Sequence, residues 1–341
     1  MKISIVGVTG YSGIELLRLL ATHEKVEVVG LYGSSSTGSS ISEAYSHLRE
    51  LTDQTIEPFD SDKIMKTSDL VFIAAPSGVS STLATPFLLN DFPVIDLSGD
   101  FRLPKETYEK WYKKPAPNIE ELAKAQYVLA DLDDLSANYI ANPGCYPTAV
   151  LLGLAPIVQS DWIDPTSIVI DAKSGLSGAG KQLSETTHFS YMANNFQMYK
   201  PNEHQHIPEI IAKLQTWNAL IPYIHFQTSL IPVPRGIFAT TFVKLNKQVS
   251  EDEIYTLYQE MYQEKTFVRV MPQGKLPHLK QVIGSNYCDL GISLNTVTQT
   301  VTIVSVIDNL VKGAAGQAIQ NMNKMKNFDE MAGLKQYPVF P

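Results

Sequence analysis

The chain has 341 residues, 44% of them apolar and 18% charged, with a formal net charge of −8. That length supports two domains with cores of their own, and the acidic balance argues against a nucleic-acid face. No apolar run approaches a membrane span, the first residues read as a strand and not a signal peptide, and two cysteines without a secretion signal suit a reducing cytoplasm.

Lys2–Gly7 is a short apolar run ending in glycine, and Ile14–Leu20 has helical spacing. Between them stands Gly7-Val8-Thr9-Gly10-Tyr11-Ser12-Gly13. Strand, glycine turn and helix form the setting in which a dinucleotide pyrophosphate approaches a helix N-terminus. Gly7, Thr9, Gly10, Tyr11, Ser12 and Gly13 are therefore candidate cofactor contacts. The spacing is GxxGxxG, so a plain tight βα turn stays open as the alternative. A second strand is predicted over 26–32. It runs into Gly33-Ser34-Ser35-Ser36-Thr37-Gly38, with no carboxylate to repel a 2′-phosphate. The hydroxyls of Ser34, Ser35 and Ser36 suit that phosphate, which favours NADP(H) over NAD; a flexible serine loop is the alternative.

Asp69–Ala75 reads as a buried parallel strand. Pro76-Ser77-Gly78 follows at its carboxyl end, where ligands sit in open α/β sheets, so Pro76 is a further cofactor candidate. Pro93–Ser98 is another strand and delivers Gly99-Asp100-Phe101-Arg102-Leu103. Arg102 is a candidate anion clamp, or else a surface arginine paired with Asp100. Residues 105–135 are polar and aromatic and spell out no clear element. Tyr139–Ala141 is a last short strand. Alternation of strand and helix predicts a doubly wound, Rossmann-type parallel sheet.

Next comes Asn142-Pro143-Gly144-Cys145-Tyr146-Pro147-Thr148, followed by the apolar run Ala149–Ala155. This reads as a loop that opens a helix, with Pro147 in the first turn, where its missing N–H costs nothing. Cys145 then lies at the helix N-terminus, whose positive end favours a thiolate. A thiolate is a strong nucleophile at neutral pH. A small buried cysteine is the alternative. Asn142, in the same turn, is a candidate substrate contact.

Beyond that helix, Ser167–Ala172 is a predicted strand ending in the glycine- and serine-rich 173–181 loop, which suits backbone contact with a ligand. Glu203-His204-Gln205-His206-Ile207-Pro208 precedes a helix over 207–214. Histidine passes protons near neutrality, so this pair can serve the thiolate; one structural and one exposed histidine is the alternative. The histidines and cysteines show no zinc-like spacing, so no metal is expected. From His225 the texture is β-rich: 225–231, 237–245, 282–285, 289–294 and 300–306. That predicts a mixed sheet in a second, α+β catalytic and dimerisation domain. Arg235, in Pro232–Gly236, is a second anion-clamp candidate, and Cys288 reads as core. Asp308–Gln320 starts a helix with small residues on one face. The domains are expected at 1–145, joined by the C-terminal helix of 309–341, and at 146–308.

Taken together, the motifs at Gly7–Gly13, Gly99–Leu103, Asn142–Ala149, Ser174–Lys181, His204–Ile210, Pro232–Gly236, Val282–Asn286 and Asp308–Gln320 resemble those of the N-acetyl-γ-glutamyl-phosphate reductases of arginine biosynthesis, over nearly the whole chain. The aspartate-semialdehyde dehydrogenases are the related outgroup. The resemblance implies that Cys145 is the nucleophile, His204 its acid/base partner and His206 a supporting neighbour. It implies that Gly10–Gly13 hold the NADP(H) pyrophosphate and Ser34–Ser36 face the 2′-phosphate. Ser177, Gly178 and Asn309 would border the nicotinamide end, and Arg102 and Arg235 would be substrate-anion contacts. It further implies an acyl-phosphate substrate with release of inorganic phosphate, and a cytoplasmic homo-oligomer. Two stretches depart from the family's pattern: Val128–Asp133 replaces a Tyr-Gly-Leu-Pro-Glu stretch, and Gln205 replaces an arginine between the histidines. The alternatives are a sister reductase acting on aspartyl or aminoadipyl phosphate, and a non-catalytic NADP-binding sensor.

Overall fold

The computed structural model describes residues 1–340. The chain divides into two compact units, Met1–Pro143 with Ala314–Lys335, and Gly144–Gly313 with the C-terminal residues from Gln336. The division falls two residues before the expected boundary. Of the expected C-terminal helix, 314–335 belongs to the first unit.

The first unit is built on seven parallel strands. In chain order they are β1 (Lys2–Val6), β2 (Glu27–Tyr32), β3 (Ile56–Glu57), β4 (Leu70–Ile73), β5 (Val94–Asp96), β6 (Ala125–Tyr127) and β7 (Tyr139–Ala141). Their order across the sheet is β3-β2-β1-β4-β5-β7-β6, with every pairing parallel. β4 and β5 are buried along their whole length, as strands covered on both faces must be. The strand order turns back between β1 and β4, which is where open α/β sheets leave a ligand crevice at their carboxyl ends. The unread 105–135 stretch holds a helix at Lys105–Tyr112 as well as β6. Its charged and aromatic residues carry no apolar period, which is why the sequence hid it.

The second unit carries a mixed sheet of β8 (Val169–Ser174), β9 (Gln197–Tyr199), β10 (His225–Leu230), β11 (Ile237–Lys244), β12 (Val268–Val270), β13 (Cys288–Asn295) and β14 (Thr300–Ile307), in the order β12-β13-β14-β11-β8-β10-β9. β8–β10 and β12–β13 are parallel and the other pairings antiparallel. The expected strand at 282–285 is instead a turn. Gly284 adopts φ +80°, outside strand geometry, and its N–H donates to Asp308 at 2.8 Å. Cys288 is buried in β13, as core.

The Cys145–Gln159 helix is buried from Tyr146 through Val158. A helix apolar all round belongs in a core. Polar groups reach its backbone from other elements: the Tyr258 hydroxyl donates to Gly153 O at 2.7 Å and the Ser305 hydroxyl to Ala149 O at 2.7 Å. The helix that carries Cys145 is thereby fixed along its length as well as packed. No helix among the described residues is long and apolar enough to cross a membrane.

Candidate functional site

In the first unit the candidate cofactor residues gather at the carboxyl edge of the parallel sheet. Gly7 leaves β1 with φ +84°, and a Cβ there would meet the Ala74 carbonyl oxygen at 2.5 Å. A Cβ on Gly13 would meet Gly7 O at 2.3 Å. Gly10 differs: its Cβ would meet no atom nearer than Gly7 O at 3.4 Å. So Gly7 makes the tight turn, Gly13 lets helix and strand pack, and Gly10, before the Tyr11–Leu20 helix, is the least crowded of the three. That helix starts with no side-chain cap. These are the features a pyrophosphate needs, so the residues fit a dinucleotide.

The serine loop continues this edge. Thr9 and Ser35 share a hydroxyl hydrogen bond of 3.1 Å, and the Tyr45 hydroxyl donates to Thr9 O at 2.7 Å. Ser34, Ser35 and Ser36 are exposed. Glu57 on β3 brings a carboxylate near β2 that the sequence did not reveal, but Lys63 pairs with it. Pro76 is exposed in the turn after β4.

Two sequence candidates in this unit have structural tasks. Asn142 is fully buried; its amide nitrogen donates to Ala314 O at 3.3 Å and its amide oxygen accepts from Asn321 at 3.0 Å. Both ends of the amide are engaged inside the unit. Arg102 is not paired with Asp100 as the alternative had it. Its Nε donates to Asn142 O and its Nη2 to Leu97 O, each at 2.8 Å.

The second unit holds the nucleophile candidate. Cys145 is the first residue of its helix, partly exposed, after Gly144 in extended conformation. Thr148 N–H returns to Gly144 O at 2.9 Å and closes the first turn around Pro147. Gly313 lies against the cysteine: a Cβ there would come within 2.8 Å of the Cys145 Cβ. The small-residue face noted in the sequence thus packs against Cys145. Gly313→Ala is expected to displace the thiol and lower kcat by on the order of 10²-fold, with NADPH affinity unchanged; steady-state kinetics beside fluorescence titration of NADPH checks this.

His204 is buried beside the residue that follows Cys145. Its ring centroid is 5.3 Å from that of Tyr146, 5.7 Å from that of Tyr199 and 4.7 Å from that of His206. Tyr199 donates to the Tyr146 hydroxyl at 3.0 Å. Burial, with Lys200 nearby, pushes His204 down to about 3, so the ring is neutral. Its Nδ1 accepts the His206 backbone N–H at 3.1 Å. That bond assigns the proton to Nε2, so the other edge of the ring is a donor.

Glu209 was not singled out in the sequence. It is buried one turn into the His206–Trp217 helix and accepts the Gly144 N–H at 2.7 Å. Its signal was the spacing of a carboxylate one turn after a histidine pair, but the partner 65 residues away is a tertiary fact.

The remaining candidates of this unit lie around Asn309 and Asp308. Asn309 accepts from Gly236 N at 2.7 Å and donates to the Ser177 hydroxyl at 2.9 Å. Gly178 follows, exposed. Arg235, partly exposed, stands 3.5 Å from the buried Asp308 carboxylate. Asp308 also accepts the N–H of Leu310 at 2.8 Å. No group of three or more metal-binding side chains forms a metal site among the described residues.

Comparison with known proteins agrees with both units. A family profile described as semialdehyde dehydrogenase, NAD binding domain, matches residues 2–157. One described as semialdehyde dehydrogenase, dimerisation domain, matches residues 145–309. The fold is similar to that of aspartate semialdehyde dehydrogenase II from Vibrio cholerae, with TM-score 0.71, 17% identity and coverage of 96% of this chain and 98% of that one. It is also similar to aspartate semialdehyde dehydrogenase with NADP from Candida albicans, with TM-score 0.68, 16% identity and coverage of 95% and 98%. A Listeria monocytogenes serotype 4b protein named N-acetyl-gamma-glutamyl-phosphate reductase is 52% identical over 343 residues, covering 100% of each chain. The chain belongs to the N-acetyl-γ-glutamyl-phosphate reductase family.

Proposed function

We propose that the chain catalyses NADPH-dependent reduction of N-acetyl-γ-glutamyl phosphate to N-acetylglutamate 5-semialdehyde, in arginine biosynthesis, through a thioester on Cys145. The observation that carries the mechanism is a cysteine at the first position of a buried helix, in the same unit as a neutral histidine whose proton sits on Nε2.

The Cys145 thiolate attacks the acyl carbonyl, a C–S bond forms, and the carbonyl oxygen becomes an oxyanion. Collapse of that oxyanion breaks the C–O bond to phosphate and leaves the thioester. The amide N–H groups that open the cysteine helix and the Nε2–H of His204 are the donors assigned to the oxyanion; losing one such donor costs about 10²–10³-fold. Bound NADPH supplies the hydride that reduces the acyl group. The same donors then hold the second alkoxide, whose collapse returns an electron pair to sulfur and frees the aldehyde. The overall reaction takes up one proton, and it ends on the departing phosphate. Cys145 attacks as a thiolate and is released as one, so His204 acts as a donor and has no proton to remove.

In the first unit Gly10–Gly13 would hold the pyrophosphate and Ser34–Ser36 the 2′-phosphate, with Pro76 bordering the cofactor. In the second, Ser177, Gly178 and Asn309 would meet the nicotinamide end, and Arg235 the substrate anion. Arg102 is second to Arg235 in that role, because two of its donors hold backbone carbonyls. His206 supports His204. The dimerisation-domain match supports a homo-oligomer.

Gly10→Val tests the cofactor placement. A Cβ at Gly10 would make only ordinary contacts, so folding is expected to survive, while NADPH affinity falls by on the order of tenfold or more. Fluorescence titration with thermal melting checks both. NADPH oxidation with N-acetyl-γ-glutamyl phosphate, set against β-aspartyl phosphate, tests the substrate. Turnover with the acetylated compound alone is expected; turnover with the aspartyl compound alone would make the chain a sister reductase.

A further inference from the structure

We propose that Asp100 is a positioning residue for cofactor binding: its buried carboxylate holds the Pro76–Ser81 segment in place beside the glycine turn. This rests on the cofactor placement given above and adds a residue to it.

After β4 the chain runs through Pro76-Ser77-Gly78-Val79 into the Ser80–Leu89 helix. That helix has no side-chain cap of its own; Val79 occupies the cap position. The first N–H groups of any helix lack partners within it. Pro76 O takes the Ser80 N–H at 3.3 Å, and Asp100, from the turn after β5, takes the next. Its Oδ1 accepts the Gly78 N–H at 2.7 Å and its Oδ2 accepts the Ser81 N–H at 2.9 Å. The Tyr108 hydroxyl donates to Oδ1 at 2.7 Å. Asp100 is completely buried, and a buried carboxylate is costly unless donors surround it. Three donors and a helix N-terminus do so here. The Gly99 N–H donates to the Ser77 hydroxyl at 3.0 Å, and the Lys114 ammonium donates to Ser77 O.

Two helices start at this carboxyl edge, after β1 and after β4, and their N-termini are not equivalent. The one at Gly10 carries no side-chain cap, and a Cβ on Gly10 would meet nothing nearer than Gly7 O at 3.4 Å. The one at Ser80 has its Ser81 N–H, and the Gly78 N–H just before the helix, bonded to Asp100, while the Ser80 N–H goes to Pro76 O. Asp100 thereby leaves the glycine turn as the anion-binding terminus. It also fixes the neighbouring turn as a wall: Ala74, at the head of that turn, presents its carbonyl to Gly7.

The test is Asp100→Asn, with Tyr108→Phe beside it. An amide at position 100 presents N–H where two backbone donors already point. D100N is expected to raise the Kd for NADPH about tenfold, and Y108F, which keeps the carboxylate, about threefold. The KM for the acyl phosphate and the alkylation rate of Cys145 should stay at wild-type values. Unchanged NADPH affinity in folded D100N would overturn the proposal. So would an equal loss in Cys145 alkylation, which marks general damage. If D100N does not fold, unchanged affinity in Y108F overturns it. Normal NADPH binding by Gly10→Val would remove the cofactor placement itself; normal binding by D100N alone, beside a weakened Gly10→Val, removes only the role of Asp100.

Discussion

Cys145→Ala is expected to lower turnover by about 10⁴-fold or more, as loss of a covalent nucleophile does, while NADPH affinity stays at the wild-type value. The separation follows from the architecture. Cys145 opens a helix of the second unit, and the glycine and serine turns expected to hold most of the cofactor belong to the first. The side chain is only partly exposed, so removing its sulfur leaves the helix core from Tyr146 to Val158 intact. Melting should therefore change little. Cys145→Ser is the sharper control, because it keeps an oxygen nucleophile of nearly the same size that stays protonated at neutral pH. Rapid alkylation of wild-type Cys145 by iodoacetamide well below pH 8, and none at Cys288, would agree with the thiolate. Residual turnover near wild type in either variant would contradict a thioester.

His204→Asn is expected to lower kcat by about 10²–10³-fold, as loss of one oxyanion donor does, with a distinctive consequence for stability. His204 is neutral in the folded protein, held down to about 3 by burial, and it titrates at its ordinary 6.5 once unfolded. Between those values the unfolded chain binds a proton that the folded chain does not. Stability from this group is thus complete above pH 6.5 and is lost as pH falls toward 3. Asp96 works in the opposite sense: burial raises it from 3.8 to about 6, so its contribution is present at low pH and lost as pH rises through 6. The difference in Tm between wild type and His204→Asn, measured across pH 4 to 7, isolates the histidine. The variant should lose less stability on acidification. Parallel curves would contradict the buried neutral ring.

The parts of this protein legible in sequence were those written in local spacing. The glycine turn, the proline-flanked cysteine and the apolar parallel strands each declare themselves within ten residues. The buried helix after Cys145 does too, because an unbroken apolar run has no other place in a soluble fold. What stayed hidden depends on partners far along the chain. Glu209 reaches Gly144, Asp100 reaches Gly78 and Ser81, and Arg102 reaches Asn142. No pattern near those residues announces such bonds. The bonds of the Asn142 amide to Ala314 and Asn321 are of the same long-range kind. The 282–285 stretch was misread because its apolar residues favour a strand, while Gly284 and its bond to Asp308 make a turn. The tautomer of His204 rests on one backbone N–H from His206 and could be assigned only from coordinates.

The measurement that tests the central claim most directly is the reverse reaction. The enzyme is given N-acetylglutamate 5-semialdehyde and NADP, with and without inorganic phosphate, and NADPH is followed by its absorbance. A thioester on Cys145 must be released by phosphate, so NADPH should accumulate only when phosphate is present, and not with aspartate semialdehyde. Sustained NADPH formation without phosphate, or turnover of aspartate semialdehyde in place of the acetylated compound, would contradict the account.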